Sequence, residues 1–163
     1  MNLRSLSLIA AAVLLLAACK ENASTSADTT GATNTAGSQS SSGVTKGSRE
    51  DFVQNVGDRV FFDFDHSDIK SEGQQTLQRQ ATWLKQYASV TVTVEGHCDD
   101  RGTREYNLAL GNRRATAVKN ALVALGIPAS RIQTISYGKE RPAVVGDNDA
   151  AWAQNRRGVT VIN

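Results

Sequence analysis

Residues 90–125, VTVTVEGHCDDRGTREYNLALGNRRATAVKNALVAL, contain the pattern that decides the fold. Valines at every second position from Val90 to Val94 predict a strand with one apolar and one polar face. Gly96 ends this strand, a polar loop follows, and apolar residues at helical spacing predict a helix over 104–125. A strand that continues through a short loop into a helix belongs to a βαβ unit, which predicts parallel strands.

Further elements are predicted on both sides of this stretch. They are a helix at 71–87, a helical turn at 150–155, and strands at 60–64, 132–137 and 158–162. The first helix has a core-facing stripe at helical spacing, formed by Leu77, Ala81, Leu84 and Ala88. The order β-α-β-α-β-β predicts one α+β or α/β domain over 48–163. Its sheet is expected to be mixed and four-stranded, with the helices on one face.

The first 47 residues have a different composition. Residues 1–18 combine a positive start with an apolar run too short to span a bilayer, which is typical of a secretory leader. The leader ends in Leu-Ala-Ala-Cys, which resembles the lipobox of bacterial lipoproteins, so Cys19 is expected to be the lipidated first residue. The rest of 19–47 is rich in Ser, Thr, Ala and Gly, and it predicts a flexible tether because it has little apolar surface to bury.

Charge and cysteine content exclude some functions. The chain has 18 Lys and Arg against 16 Asp and Glu, and removal of Arg4 with the leader leaves 17 against 16. Such a balance offers no basic face for nucleic acid, so no nucleic-acid partner is expected. If Cys19 is lipidated, Cys98 has no disulfide partner. We expect Cys98 to be a small buried side chain, with a reactive thiol as the alternative.

The predicted helix at 104–125 presents polar side chains towards the strand ends. On a helical wheel, Arg114 lies about 60° from the centre of the apolar stripe, and Asn107 lies on the same edge. Arg113 lies about 160° from the centre and is expected to face water. The loops at 65–67 and 97–103 both follow strands, where α/β sheets collect ligands, so they are expected to lie side by side.

Asp99 begins the second of these loops, fifteen residues before Arg114. A carboxylate accepts hydrogen bonds from an ammonium group, and a guanidinium grips a carboxylate through two parallel N–H bonds. Together they suit a zwitterionic ligand. Two other roles remain open at this point: Arg114 bonded to an internal carboxylate, and Asp99 capping a turn or pairing with Arg101.

Several segments together resemble the OmpA-like peptidoglycan-binding family. They are FDFD at 62–65, EGHCDDRGTREYN at 95–107, NLALGNRRA at 107–115, SYGKERP at 136–142 and NRR at 155–157. The resemblance covers about residues 60–162, and it implies the family's β-α-β-α-β-β sandwich. It also implies a binding protein, not an enzyme, with no cofactor and no metal.

The resemblance implies a ligand and a set of site residues. The family holds the peptide stem of peptidoglycan through meso-diaminopimelate, whose free D-centre carries an ammonium and a carboxylate. Carried over, Asp99 would pair with the ammonium and Arg114 would clamp the carboxylate. The remaining positions implied are Asp65 and Phe64 lining the pocket, Asn107 steadying the loop, Leu110 packing beside the pocket, His66 at its rim, and Asn155 and Arg156 bordering it.

The lipoprotein members of the family also imply a cellular setting. They imply an anchor in the inner leaflet of the outer membrane through lipid on Cys19, with the domain facing the periplasm. They further imply the β-propeller protein TolB and its associated components as partners, and a role in envelope integrity and cell division.

Three rival functions are weighed against this interpretation. A peptidoglycan hydrolase would draw its acid and base from Asp63, Asp65, Asp99, Asp100 and Glu105. A metal site would use His66, His97, Cys98 and Asp99, although their spacing is not that of a compact zinc motif. A protein-interaction module without a small ligand is the third.

Overall fold

The computed structural model describes residues 44–163. The predictions of a secretory leader, of lipid on Cys19 and of most of the tether lie outside the described residues. In the described part of the chain, no helix is both long and apolar enough to cross a membrane.

Eight regular elements and two short turns build the domain. A one-turn helix α1 (Arg49–Asp51) continues into a π-helical turn (Phe52–Val56), and a 3-10 turn (Ala129–Arg131) precedes the third strand. The other elements, in chain order, are β1 (Arg59–Phe61), α2 (Ser71–Gln86), β2 (Val92–His97), α3 (Arg104–Ala124), β3 (Ile132–Gly138), α4 (Asp149–Asn155) and β4 (Arg157–Ile162).

The strands form one mixed sheet in the order β1-β4-β2-β3. β2 and β3 are parallel and joined by α3, whereas β4 is antiparallel to both β1 and β2. The chain enters β4 through a loop and the short α4 instead of a long crossover helix, and β4 lies between β1 and β2. The predicted mixed four-stranded sheet and its order of elements are confirmed.

The first strand is shorter than predicted. It was expected over 60–64, but β1 ends at Phe61. The backbone of Phe62 still donates to the carbonyl of Arg156 at 2.9 Å, and its ring is buried. At Asp65 the backbone has a φ of 59°, a left-handed conformation that turns the chain away from the sheet. Phe64 therefore leaves the core and is 55% exposed.

The end of α2 also differs from the prediction. The helix stops at Gln86 because Tyr87 has a φ of −109° and a ψ of 73°, outside the helical region. The core-facing stripe therefore ends at Leu84, and Ala88 is exposed. Val90 likewise lies in the connection before β2, which begins at Val92.

Both long helices pack on one face of the sheet. Val60, Gly158, Gly96 and Ser136 are neighbours across the four strands. A Cβ atom on Gly96 would lie 1.8 Å from the carbonyl oxygen of Gly111 in α3. This distance is far inside van der Waals contact, so only glycine allows α3 to approach β2 so closely.

The N-terminal helix is held to α2 by a buried carboxylate. Asp51 accepts hydrogen bonds from the indole Nε1 of Trp83 at 2.8 Å, the backbone N of Gly47 at 2.9 Å and the Asn55 amide at 2.8 Å. The Trp83 ring packs edge-on against Phe52, with the ring centroids 4.9 Å apart. The segment before β1 is thus part of the domain, not a loose extension of it.

We expect Gly96→Ala to lower the free energy of unfolding by about 3 kcal/mol or more, because a backbone carbonyl has to move. Gly158→Ala is the matched control in the same row of the sheet. Its Cβ would meet a side-chain methyl of Val118 at 3.1 Å, which can shift. Urea denaturation measures both variants. Equal midpoints for the two would contradict the close contact between α3 and β2.

Candidate functional site

A cavity of about 140 Å³ lies at the carboxyl end of β2, beside the first turns of α3. We call it the Asp99 cavity. It brings together six of the predicted site residues, which are Phe64, Asp65, Asp99, Asn107, Leu110 and Arg114. The other residues that line it are Cys98, Arg101, Gly102 and Tyr106. The two loops expected to meet at the strand ends both contribute to its walls.

Asp99 is a buried carboxylate shared by two arginines. It is 3% exposed, and its Oδ2 accepts from Arg101 Nη2 at 2.5 Å and from Arg156 Nη1 at 3.2 Å. Burial raises the pKa of Asp99, but the hydrogen bonds from the two arginines outweigh burial and hold it below its usual value. The carboxylate is therefore negative at neutral pH, and the pairing with Arg101 that the sequence left open is present.

Arg114 is fully buried, and most of its N–H groups donate to backbone carbonyls. Its Nε donates to the carbonyl of His66 at 2.9 Å, Nη1 to His97 at 2.8 Å and Nη2 to Asp63 at 3.0 Å. The alternative of an internal carboxylate partner is wrong, because the three partners of the guanidinium in the described domain are backbone carbonyl oxygens. An arginine has five N–H donors, so two remain for a ligand. Burial lowers the pKa of Arg114, which still leaves it charged at neutral pH.

Asn107 and Cys98 support the loop between β2 and α3. The Asn107 amide donates to the carbonyls of Arg101 at 2.8 Å and Thr103 at 3.0 Å. The Cys98 thiol lies 3.3 Å from the Asn107 carbonyl and is 2% exposed. Burial raises the pKa of Cys98, so the thiol stays protonated and unreactive at neutral pH. The expectation of a small buried side chain is confirmed.

The β1–α2 loop forms the opposite wall of the cavity. Asp65, in its left-handed conformation, accepts a hydrogen bond from the hydroxyl of Tyr106 on α3. This contact joins the two walls. Strained backbone of this kind in a non-glycine residue is frequent at ligand sites.

Three predicted residues do not line the Asp99 cavity. The His66 ring is exposed, with Nδ1 2.7 Å from the Phe64 carbonyl, and only the His66 backbone serves the site. Arg156 donates to Asp99 and to the Phe62 carbonyl without lining the cavity. Asn155 bonds the backbone of Ala143 and Val144 instead, because the last turn of α4 points it at that loop.

Arg101 is held in place by two aromatic residues, Phe64, which was predicted to line the pocket, and Trp152, which was not predicted. Its guanidinium carbon lies 4.0 Å from the ring centroid of Phe64 and 4.0 Å from that of Trp152. Trp152 lies in α4, more than fifty positions after Arg101, so no local spacing signalled it. Tyr106 was also missed, although its place directly before Asn107 on α3 is a signal that could have found it.

The side chains considered for the rival metal site do not come together as a set of metal ligands in the described domain. Between residues 44 and 163 there is no group of three or more His, Cys, Asp or Glu able to hold a metal ion. His97 is instead buried against the ring of Tyr137, with the centroids 5.6 Å apart. Burial, together with the positive charge of Arg157, lowers the pKa of His97 to about 4.

The fold and the charged cavity define an OmpA-like domain. The sequence pattern of the OmpA family matches residues 61–156. The chain belongs to the OmpA family.

Within this family the chain is similar to proteins named peptidoglycan-associated lipoprotein. It is 60% identical to the one from Agrobacterium fabrum over 119 residues, which cover 73% of this chain and 67% of that protein. It is 41% identical to the one from Haemophilus influenzae over 152 residues, or 93% of each chain.

Solved structures agree with the fold. The crystal structure of the peptidoglycan-associated lipoprotein from Burkholderia pseudomallei superposes with a TM-score of 0.67 at 38% identity, covering 71% of this chain and 100% of that one. The C-terminal domain of Helicobacter pylori MotB gives a TM-score of 0.61 at 21% identity, covering 65% and 84%. At that identity the second likeness shows the fold alone.

Arg114→Leu is expected to lower the free energy of unfolding by about 3–5 kcal/mol, because it leaves three carbonyls without donors. Arg113→Leu is the matched control, since Arg113 is the exposed neighbour on α3. Chemical denaturation of both variants measures the difference. An Arg114→Leu variant as stable as Arg113→Leu would contradict the structural role of the buried guanidinium.

The buried His97 is expected to make stability depend on pH. Its pKa is lower in the fold, at about 4, than the usual 6.5, so the unfolded chain binds more protons between these values. Stability therefore falls as the pH drops from 6.5 towards 4, by at most about 3 kcal/mol. Denaturation of the wild type and of His97→Gln across this window tests it. The same slope in both would show that other groups cause the loss.

Proposed function

We propose that this protein is an outer-membrane lipoprotein whose domain binds peptidoglycan non-covalently through meso-diaminopimelate. The observation that carries the proposal is the presence of a buried carboxylate, Asp99, and a buried guanidinium, Arg114, in the wall of one small cavity. The similarity to proteins named peptidoglycan-associated lipoprotein supports the same ligand.

The free D-centre of diaminopimelate carries both charges that the cavity can receive. Its ammonium would donate to Asp99, which has lone pairs beyond those used by its two arginines. Its carboxylate would accept from the two N–H groups that Arg114 does not spend on carbonyls. Each charge-assisted bond is worth about 1.5–3 kcal/mol, and association costs reduce the sum to a modest affinity.

The other predicted residues would act around this clamp. Asp65 and Phe64 would form the wall opposite Asp99, and Leu110 would pack against the carbon chain of the ligand. Asn107 would act indirectly by holding the loop that carries Asp99. Arg156 would share the Asp99 carboxylate, whereas His66 and Asn155 would contribute through the backbone that they support.

The electrostatics of Asp99 and Asp63 makes either carboxyl group a poor acid for a hydrolase. A glycosidase acid needs a carboxyl group whose pKa is raised, so that it holds a proton at neutral pH. The pKa of Asp99 is lowered instead, and so is that of Asp63, which accepts from Lys70. We therefore propose a binding protein without catalytic activity. Release of soluble fragments from purified peptidoglycan sacculi would contradict this.

The cellular setting belongs to the same proposal. Residues 1–18 would be removed, Cys19 would carry lipid in the inner leaflet of the outer membrane, and residues 19–47 would tether the domain at 48–163. If the segment is the flexible tether that its composition predicts, its roughly 28 residues would have an r.m.s. reach of about 30 Å. The domain would face the periplasm and work with TolB in the Tol–Pal system, with a role in envelope integrity and cell division.

Asp99→Asn tests the clamp, because it keeps the size of the side chain and removes its charge. We expect Asp99→Asn to bind sacculi with an affinity at least about tenfold lower than that of the wild type. The affinity is measured from the fraction of protein that co-sediments with the sacculi. Asp100→Asn is the matched control at the exposed neighbouring position, and it should bind like the wild type. Equal sedimentation of both variants would refute the assignment of Asp99.

A further inference from the structure

Arg101 is held over the Asp99 cavity in an unusual way. Its guanidinium is stacked between Phe64 and Trp152, with 4.0 Å from the guanidinium carbon to each ring centroid. One end of it donates to Asp99 at 2.5 Å, and a third of the side chain is exposed. Stacking on two aromatic faces fixes the plane of the guanidinium without using its N–H donors.

Two N–H donors at this stack lack acceptors. Within residues 44–163, Arg101 Nε and Trp152 Nε1 are both buried without a hydrogen-bond partner. A buried unsatisfied donor costs about 1–3 kcal/mol, and native proteins keep few of them. These two donors lie on side chains that touch each other, one of which lines the cavity, so both are available to an acceptor on a ligand.

Ligand binding would also weaken the ion pair between Arg101 and Asp99. Asp99 already serves Arg101 and Arg156. Once the ammonium of the proposed ligand reaches Asp99, three cations would share one carboxylate. Of the two arginines, Arg101 is the more exposed, so it is the one that can move. A second carboxylate on the ligand would restore the balance of charge.

We propose, on the basis of the function proposed above, that Arg101 and Trp152 form a second subsite, for a carboxylate on the ligand residue next to diaminopimelate. In the free protein, Arg101 donates to the carboxylate that the ligand's ammonium group would reach. When the ligand binds, the ammonium becomes a third cation at Asp99, and Arg101 turns between the two rings. Arg101 Nε and Trp152 Nε1 then donate to the neighbouring carboxylate. The subsite selects a peptide with an acid beside its diaminopimelate.

The test compares three ligands by NMR titration of the full domain. They are free meso-diaminopimelate, the γ-glutamyl-meso-diaminopimelate dipeptide with its glutamyl α-carboxylate free, and the same dipeptide with that group converted to an amide. We expect the free acid to bind about tenfold more tightly than the amide, because both N–H donors would bond a charged acceptor. In Trp152→Phe, which keeps a ring and removes one of the two donors, the ratio should fall to about threefold.

Trp83→Phe is the matched control, because the two tryptophans differ in how their N–H groups are used. Trp83 Nε1 donates to Asp51, so its loss should lower the melting temperature and leave the acid-to-amide ratio unchanged. Trp152 Nε1 has no acceptor in the described domain, so its loss breaks no hydrogen bond of the free protein. A purely structural role for Trp152 would change stability and not this ratio.

Each outcome has a definite meaning. If the wild type binds free meso-diaminopimelate but treats the acid and the amide alike, the subsite is refuted and the proposed function stands. If the ratio in Trp152→Phe equals that of the wild type, Trp152 is not part of the subsite. If the wild type binds none of the three ligands, the proposed function fails, and the subsite fails with it.

Discussion

The burial of one guanidinium is the constraint on which the rest of the site depends. Arg114 is inaccessible to water, and a buried charge is costly unless it is fully hydrogen-bonded. Its three carbonyl partners come from different places, since Asp63 and His66 belong to the β1–α2 loop and His97 ends β2. One side chain from α3 therefore fixes both loops, and the same side chain faces the cavity that they enclose.

Packing between helix and sheet makes this arrangement possible. Gly96 and Gly111 let the backbones of β2 and α3 approach closely, and Arg114 follows Gly111 by about one helical turn. With larger residues at the glycine positions, α3 would stand away from the sheet, and the guanidinium would no longer reach the end of β2. The core and the site are in this sense one structure, so a substitution in either affects both.

Sequence reasoning succeeded where local periodicity decides the outcome. The wheel separated buried Arg114 from exposed Arg113, and alternating valines located β2 to within two residues. It failed where the structure depends on contacts between segments that lie far apart in the sequence. The end of β1 is determined by carbonyls that turn towards Arg114, about fifty positions away. The stack of Arg101 on Trp152 depends on where α4 docks, which no local spacing records.

The place of β4 in the sheet has a consequence for how the chain acquires its structure during synthesis. β4 is the last of the four strands to be made, yet it lies between β1 and β2 and is hydrogen-bonded to both. Until it is present, β1 has no neighbour in the sheet. A nascent or truncated chain that ends before Arg157 therefore has no complete sheet, because β1 is unpaired and β2 is paired with β3 alone.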